Sequence, residues 1–331
     1  MEGAGVEGHA PRPTQASGLT SPRRYNPLQM RSPRRPGAAV FLASLILTAC
    51  TASTPSATST FVLPSPTPIP PTATPEPAAA MVNGVPILLA DYQGELARFE
   101  AAQASLGIDL ASLGDYHSQV LRALIDRRLL AEAELAVGGR LDPATVEAAI
   151  ADLTADRGGT DGLHAWLSEN MYTLDGFRAA LEEEILAEHM VEKIVSGVPH
   201  TAEQAHARHI VVSTREQAQE LLDQLKAGAD FAGLAETYSL DLSTRLAGGD
   251  LYWFPHGYLT MPPVEEAAFS LQPGEISEII ESKLGFHIVQ TLELAERTLT
   301  SDAWQRLGQR AVEDWLTSKR ASADIQAFVA P

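Results

Sequence analysis

The chain has 331 residues, 45 % apolar and 20 % charged, enough for two ordinary domains with real cores. Its formal net charge is −18; six arginines and two acids fall in the first 35 residues, which leaves 18 basic against 40 acidic side chains in the remainder. Such a chain repels nucleic-acid phosphates. Its one cysteine, Cys50, also excludes an internal disulfide or a cysteine-type zinc site. The acidity reads as solubility, or as a surface that favours basic clients.

Arg31, Arg34 and Arg35 precede a 13-residue apolar run, Gly37–Ala49. That is the length of a signal-peptide core and short of the roughly 20 residues that span a bilayer. The run ends Leu47-Thr48-Ala49-Cys50, which resembles a bacterial lipobox. The resemblance implies diacylglyceryl attachment at Cys50, cleavage before it, and anchoring to the membrane by the lipid chains. Residues 1–50 are therefore read as a lipoprotein signal peptide, with Met30 as a possible true start; an uncleaved anchor helix is the competing reading. Residues 51–80 are Thr, Ser, Pro and Ala with little else, and no charged residue occurs from Pro36 to Pro75. Such a segment has too little apolar surface to order itself and predicts an extended, disordered tether.

Residues 81–200 read as a mainly helical domain. Met81–Ile87 suggests a short strand and turn, and helical periodicity starts near Asp91. Leu121, Leu124, Ile125 and Leu129 recur at helical spacing, and Asp142-Pro143 is a capped helix start. Gly158-Gly159 breaks the chain, and a helix is predicted from Leu174 to Val195, ended by Pro199. His117, His164 and His189 are scattered and read as surface or boundary residues.

Residues 201–298 read differently. Arg208–Val212 is strand-like, and Ser213 with Glu216 suggests a capping box. Two helical stripes follow, at Ala218, Leu221, Leu222 and Leu225, then at Phe231, Leu234, Ala235 and Tyr238. Gly248-Gly249 marks a turn before a strand at Leu251–Phe254; a short helix at Glu265–Phe269 and strands at Glu278–Glu281 and Phe286–Leu292 complete the unit. The order β-α-α-β-α-β-β is an α+β arrangement.

Six stretches of this unit carry a resemblance to the parvulins. They are Ala207–Val212, Ala229–Ala235, Gly248–Leu251, Glu265–Phe269, Pro273–Ser277 and Gly285–Val289. The match, over roughly residues 205–297, implies a four-stranded antiparallel sheet with surrounding helices. The whole layout resembles the PrsA and SurA-like foldases, in which the helical segment is a chaperone domain like the N-terminal one of SurA. In that family the last helix returns to this domain; residues 299–331 supply a counterpart, with Trp304, Leu307, Ala311 and Trp315 in helical register over Trp304–Val329. A helix packed on the parvulin unit is the alternative.

A prolyl bond prefers trans by only about 0.5–1 kcal/mol yet turns over in tens to hundreds of seconds. Catalysis needs contacts that favour the twisted amide over the planar one, and no cofactor or metal. The resemblance implies a paired-histidine site from His209 and His287. It places Asp241, or its neighbour Leu242, in the loop where parvulins carry a cysteine or aspartate near the substrate carbonyl. It makes Leu251, Leu259 or Met261, and Phe269 candidates for the proline pocket. Two buried structural histidines, an Asp241 that only caps a turn, and core roles for Leu251 and Phe269 are the plainer readings. His206 and His209, three apart on a strand, point to opposite faces and are not expected to share a metal. Tyr252 replaces the usual glycine, Val264 falls where a pocket phenylalanine is common, and Leu284 replaces a small polar residue. The expected function is a peptidyl-prolyl cis-trans isomerase for unfolded or newly exported polypeptides outside the cytoplasmic membrane. The alternatives are a non-catalytic holdase with the same fold and, with less support, a solute-binding lipoprotein.

Overall fold

From Ala78 the chain enters a tight hairpin, β1 (Ala78–Val82) and β2 (Val85–Leu88). Asn83 and Gly84 both take positive φ, 49° and 82°, the pair a two-residue turn of this hand requires. The computed structural model describes residues 76–329. The expected signal peptide, Cys50 and most of the expected tether lie outside these residues. Regular structure nonetheless begins inside the stretch read as tether: Ala79 and Ala80 are fully buried in β1. Small residues there pack against neighbouring elements, which composition alone does not reveal.

The helical body follows as α1 (Leu89–Ser105), α2 (Tyr116–Ala136), α3 (Pro143–Asp156), α4 (Thr160–Glu169) and α5 (Leu174–Ser196). Asp142 caps α3, accepting from the Ala144 N–H at 2.9 Å, with Pro143 at the first helical position. The stripe of α3 meets α4 and the start of α5 in one cluster, Val146, Ile150, Leu153, Leu163, Leu167 and Phe177. Arg127 and Arg128 of α2 reach Glu183 of α5 at 3.4 and 3.0 Å.

The second unit contains β3 (Thr201–Val212), α6 (Arg215–Lys226), α7 (Phe231–Tyr238), β4 (Asp250–Pro255), α8 (Pro262–Ser270), β5 (Ile280–Ser282) and β6 (Gly285–Thr298). Its sheet has the order β4-β3-β6-β5 with every pairing antiparallel. Strand alternation gives the sheet two apolar faces. Ile210, Val212 and Ile288 pack on α6 and α7. Ala205, Ala207 and Val289 pack on α8 and the loop before it. The α6 cap is Thr214, whose hydroxyl accepts from Gln217 N–H at 3.2 Å, so the expected Ser213–Glu216 box is displaced by one residue. Both threonine and glutamine suit the capping pattern, which made the two registers hard to separate.

The last helix, α9 (Ser301–Ser322), stops seven residues short of the expected end at Val329, and β7 (Ile325–Ala327) follows it. Val312 and Leu316 pack with Leu130 of α2 and Ala187 of α5, and Arg320 meets Asp126 at 2.7 Å. β7 then pairs antiparallel with β1. Among the described residues no helix is long and apolar enough to cross a membrane.

Candidate functional site

The register of β3 with β6 sets Val211 opposite His287 and His209 opposite Val289. His209 and His287 are thus diagonal neighbours on one sheet face, the face that carries Ala205, Ala207 and Val289. Both are buried, with ring centroids 5.5 Å apart and planes 26° from parallel. The segment after α7 closes on the end of β3, where Leu240 N–H donates to the Val211 carbonyl at 2.8 Å. That contact brings Asp241 to His209. Its neighbour Leu242 is 73 % exposed, so Asp241 is the residue this loop delivers.

Hydrogen bonding gives the cluster a direction. Asp241 Oδ2 lies 2.8 Å from His209 Nε2, so that nitrogen carries the proton. His209 Nδ1 is then free to accept from His287 Nδ1–H at 3.4 Å, and His287 Nε2 accepts from the Ser282 hydroxyl at 2.7 Å. Both imidazoles are satisfied in the neutral form. Burial, with His209 adding to it, pushes His287 down to about 4. The Asp241 carboxylate accepts further from Ser243 N–H at 2.9 Å, Ser243 Oγ at 2.5 Å and Thr244 Oγ1 at 2.7 Å. The His209 bond above all, then Ser243 and Thr244, hold it well below the usual carboxylate range against the effect of burial. Four donors fill both oxygens, so Asp241 acts through His209. Ser282, Ser243 and Thr244 were missed from sequence; short polar residues at strand ends and in turns carry no signal of their own.

Gly248-Gly249 fastens β4 to this site. His209 N–H donates to the Gly249 carbonyl at 2.9 Å. Gly249 has φ +81°, and a side chain there would overlap the His209 carbonyl oxygen. Gly249→Ala should therefore cost about 2–4 kcal/mol, read as a lower urea midpoint at unchanged slope.

The pocket candidates gather on the same sheet face. Leu251, Leu259, Met261 and Phe269 are half-buried around Phe254, Val264, Ala268 and the two alanines of β3. Phe269 stands edge-on to Phe254 at 5.8 Å and stacks on the exposed His256 ring at 3.5 Å. Val264 is fully buried. Tyr252, at the family's glycine position, takes φ +57°, which explains why glycine suits that place. The loop before α8 is held by Glu265, a buried carboxylate accepting from Gly257 N–H at 2.6 Å and Leu259 N–H at 2.8 Å. Its role too was missed, because an acid in a first helical turn reads as a dipole partner. His206 turns to the other face and meets Asp250 at 2.9 Å, apart from His209.

Residues 194–293 match the rotamase family, described as the PPIC-type PPIASE domain. Over 238 residues, 64 % of this chain, the sequence is 32 % identical to Foldase protein PrsA of Halalkalibacterium halodurans, of which 70 % is covered. The chain belongs to the PrsA foldase family. Foldase protein PrsA of Caldanaerobacter subterraneus subsp. tengcongensis is 47 % identical over 85 residues, 26 % of this chain and 28 % of that relative. Chaperone SurA of Bordetella avium is 38 % identical over 147 residues, 38 % of this chain and 28 % of that relative. These last two relatives share little more than a quarter of their length with the chain. This PrsA family member carries its peptidyl-prolyl isomerase domain on β3 to β6, with the imidazole pair inside the matched segment.

Proposed function

We propose that the chain catalyses cis-trans isomerisation of Xaa-Pro bonds in unfolded or newly exported polypeptides, on the outer side of the cytoplasmic membrane, held there by lipid on Cys50. The observation that carries the catalytic part is a buried, hydrogen-bonded imidazole pair sharing a sheet face with a half-buried apolar cluster. A proline ring seated against Leu251, Leu259 and Met261 would lie beside these imidazoles. Loss of amide resonance makes the nitrogen more basic and the carbonyl less polar in the twisted state. A dry wall of low polarity favours that state, with its less polar carbonyl, over the planar one. His209 and His287 shape this wall, and Asp241 sets the orientation and tautomer of His209. The chemistry calls for no cofactor or metal. The helical body would hold clients while their prolyl bonds turn.

The test is NMR exchange on an Xaa-Pro peptide. His209→Ala should reduce catalysed exchange at least about tenfold, since geometry at the reacting bond is lost. Activity unchanged by His209→Ala and Asp241→Ala together would sink the site assignment. A holdase without catalysis is the second reading, favoured by the crowding of Phe269 between Phe254 and His256. It expects suppressed client aggregation with no effect on prolyl exchange.

A further inference from the structure

We infer that α9, the helix that completes the helical body, is also the positioning element for the loop that borders the proline pocket. This rests on the isomerase reading of that pocket. The loop from His256 to Met261 carries two pocket candidates, Leu259 and Met261, and is gripped from two sides. From within the isomerase domain, Glu265 takes the Gly257 and Leu259 amides. From outside it, the first half of α9 supplies three side chains. Tyr258 donates its hydroxyl to Asp302 Oδ2 at 2.7 Å. Arg306 meets the same carboxylate at 3.1 Å and lies 4.7 Å over the Tyr258 ring. Arg310 donates to the Gly257 carbonyl at 3.2 Å. Gly257, at φ +81°, lets Arg310 approach: a side chain there would touch its guanidinium at 3.2 Å.

A surface ion pair alone contributes little. Here the contacts converge on one short loop, and two of them act on its backbone or on a half-buried ring. The same helix is fixed at its other end by Leu316, fully buried beside α2 and α5, and by Arg320 on Asp126. Movement of the helical body relative to the isomerase domain therefore reaches Leu259 through one rigid rod. Pocket shape is then coupled to the state of the helical body, where a client would sit.

The test compares, in the full chain, Arg306→Met with Arg310→Met as a double variant against Arg320→Gln, which loosens the far end of α9 without touching the loop. The double variant should raise KM for an Xaa-Pro peptide about fivefold with kcat within about twofold, the pattern of lost uniform binding. It should also move the Leu259 and Met261 methyl resonances. Arg320→Gln keeps every loop contact and should shift the same methyl resonances by less than the double variant, with KM within about twofold, and Arg306→Lys in place of Arg306→Met should restore part of the loss. Methyl resonances that stay in place in the double variant overturn the inference, whatever the rate does. An unchanged KM beside shifted methyls overturns it as well. A normal rate in His209→Ala instead removes the isomerase reading and leaves the methyl resonances to decide whether α9 sets the loop.

Discussion

Replacing Asp241 by alanine should lower stability by about 2–3 kcal/mol and kcat/KM by about ten- to a hundredfold. The variant leaves four donors without their acceptor, and one of them, the His209 Nε2–H, sits on a residue only 1 % exposed. Water can reach part of the vacated space, because the Asp241 side chain is 24 % exposed, which keeps the cost below that of four orphaned groups. Asparagine separates charge from geometry. The Ser243 backbone N–H can only donate, so the amide oxygen must stay on that side. The amide nitrogen then faces His209 Nε2 and Thr244 Oγ1, where two donors now stand. Thr244 can rotate its hydroxyl to accept. His209 can relieve the conflict by moving its proton to Nδ1, and His287 must then donate through Nε2 to Ser282. Asp241→Asn should therefore fold with a smaller stability loss than alanine but with the relay reversed. Imidazole nitrogen chemical shifts report the tautomer of each ring directly. A His209 that keeps its proton on Nε2 in the asparagine variant contradicts this account of the site.

Acid should weaken the fold in two stages. The His287 imidazole takes up a proton near 6.5 in the unfolded chain and only near about 4 in the folded one. Between those values the unfolded state binds the extra proton, so stability rises with pH and falls as pH drops through the window. The full difference is at most about 3 kcal/mol, and it is intact above about pH 6.5. The Asp241 carboxylate acts lower. Its folded affinity for protons is reduced from an ordinary value of 3.8, so its contribution is present above that value and lost as pH falls below it. Urea unfolding from pH 7 to pH 4 should show the first loss, and His287→Asn should flatten that slope. An unchanged slope in the variant means that burial does not hold this ring neutral. His287 itself stays uncharged in the folded chain down to about pH 5, so a loss of exchange catalysis above that pH does not come from this ring.

The sheet and the site were legible for different reasons. Gly248-Gly249, Asp142-Pro143 and the α6 stripe announce themselves through backbone and periodicity. His209, Asp241 and His287 were reached only through the resemblance, since isolated histidines on strands look like ordinary core residues. Strand ends were under-read. β3 begins at Thr201 because Ala202, Glu203 and Gln204 pair with β6, although nothing in their composition favours a strand. β7 was invisible for the same reason: Ile325–Ala327 becomes a strand only because β1 lies beside it. The grip of α9 on the Tyr258 loop depends on contacts 44 and 53 residues apart, which no local pattern records.

β1 and β7 have a last consequence. Asn83 and Asp324, 241 positions apart, exchange backbone and side-chain bonds, and α9 fills the seam beside α2 and α5. Everything from Thr201 to Thr298 is thus an insert within a body built from both ends of the described chain. During synthesis the inserted sheet has all its strands before α9 exists. The surrounding helices must wait for α9 and β7 to arrive. The isomerase-type domain is complete first, and the helical body closes around it last.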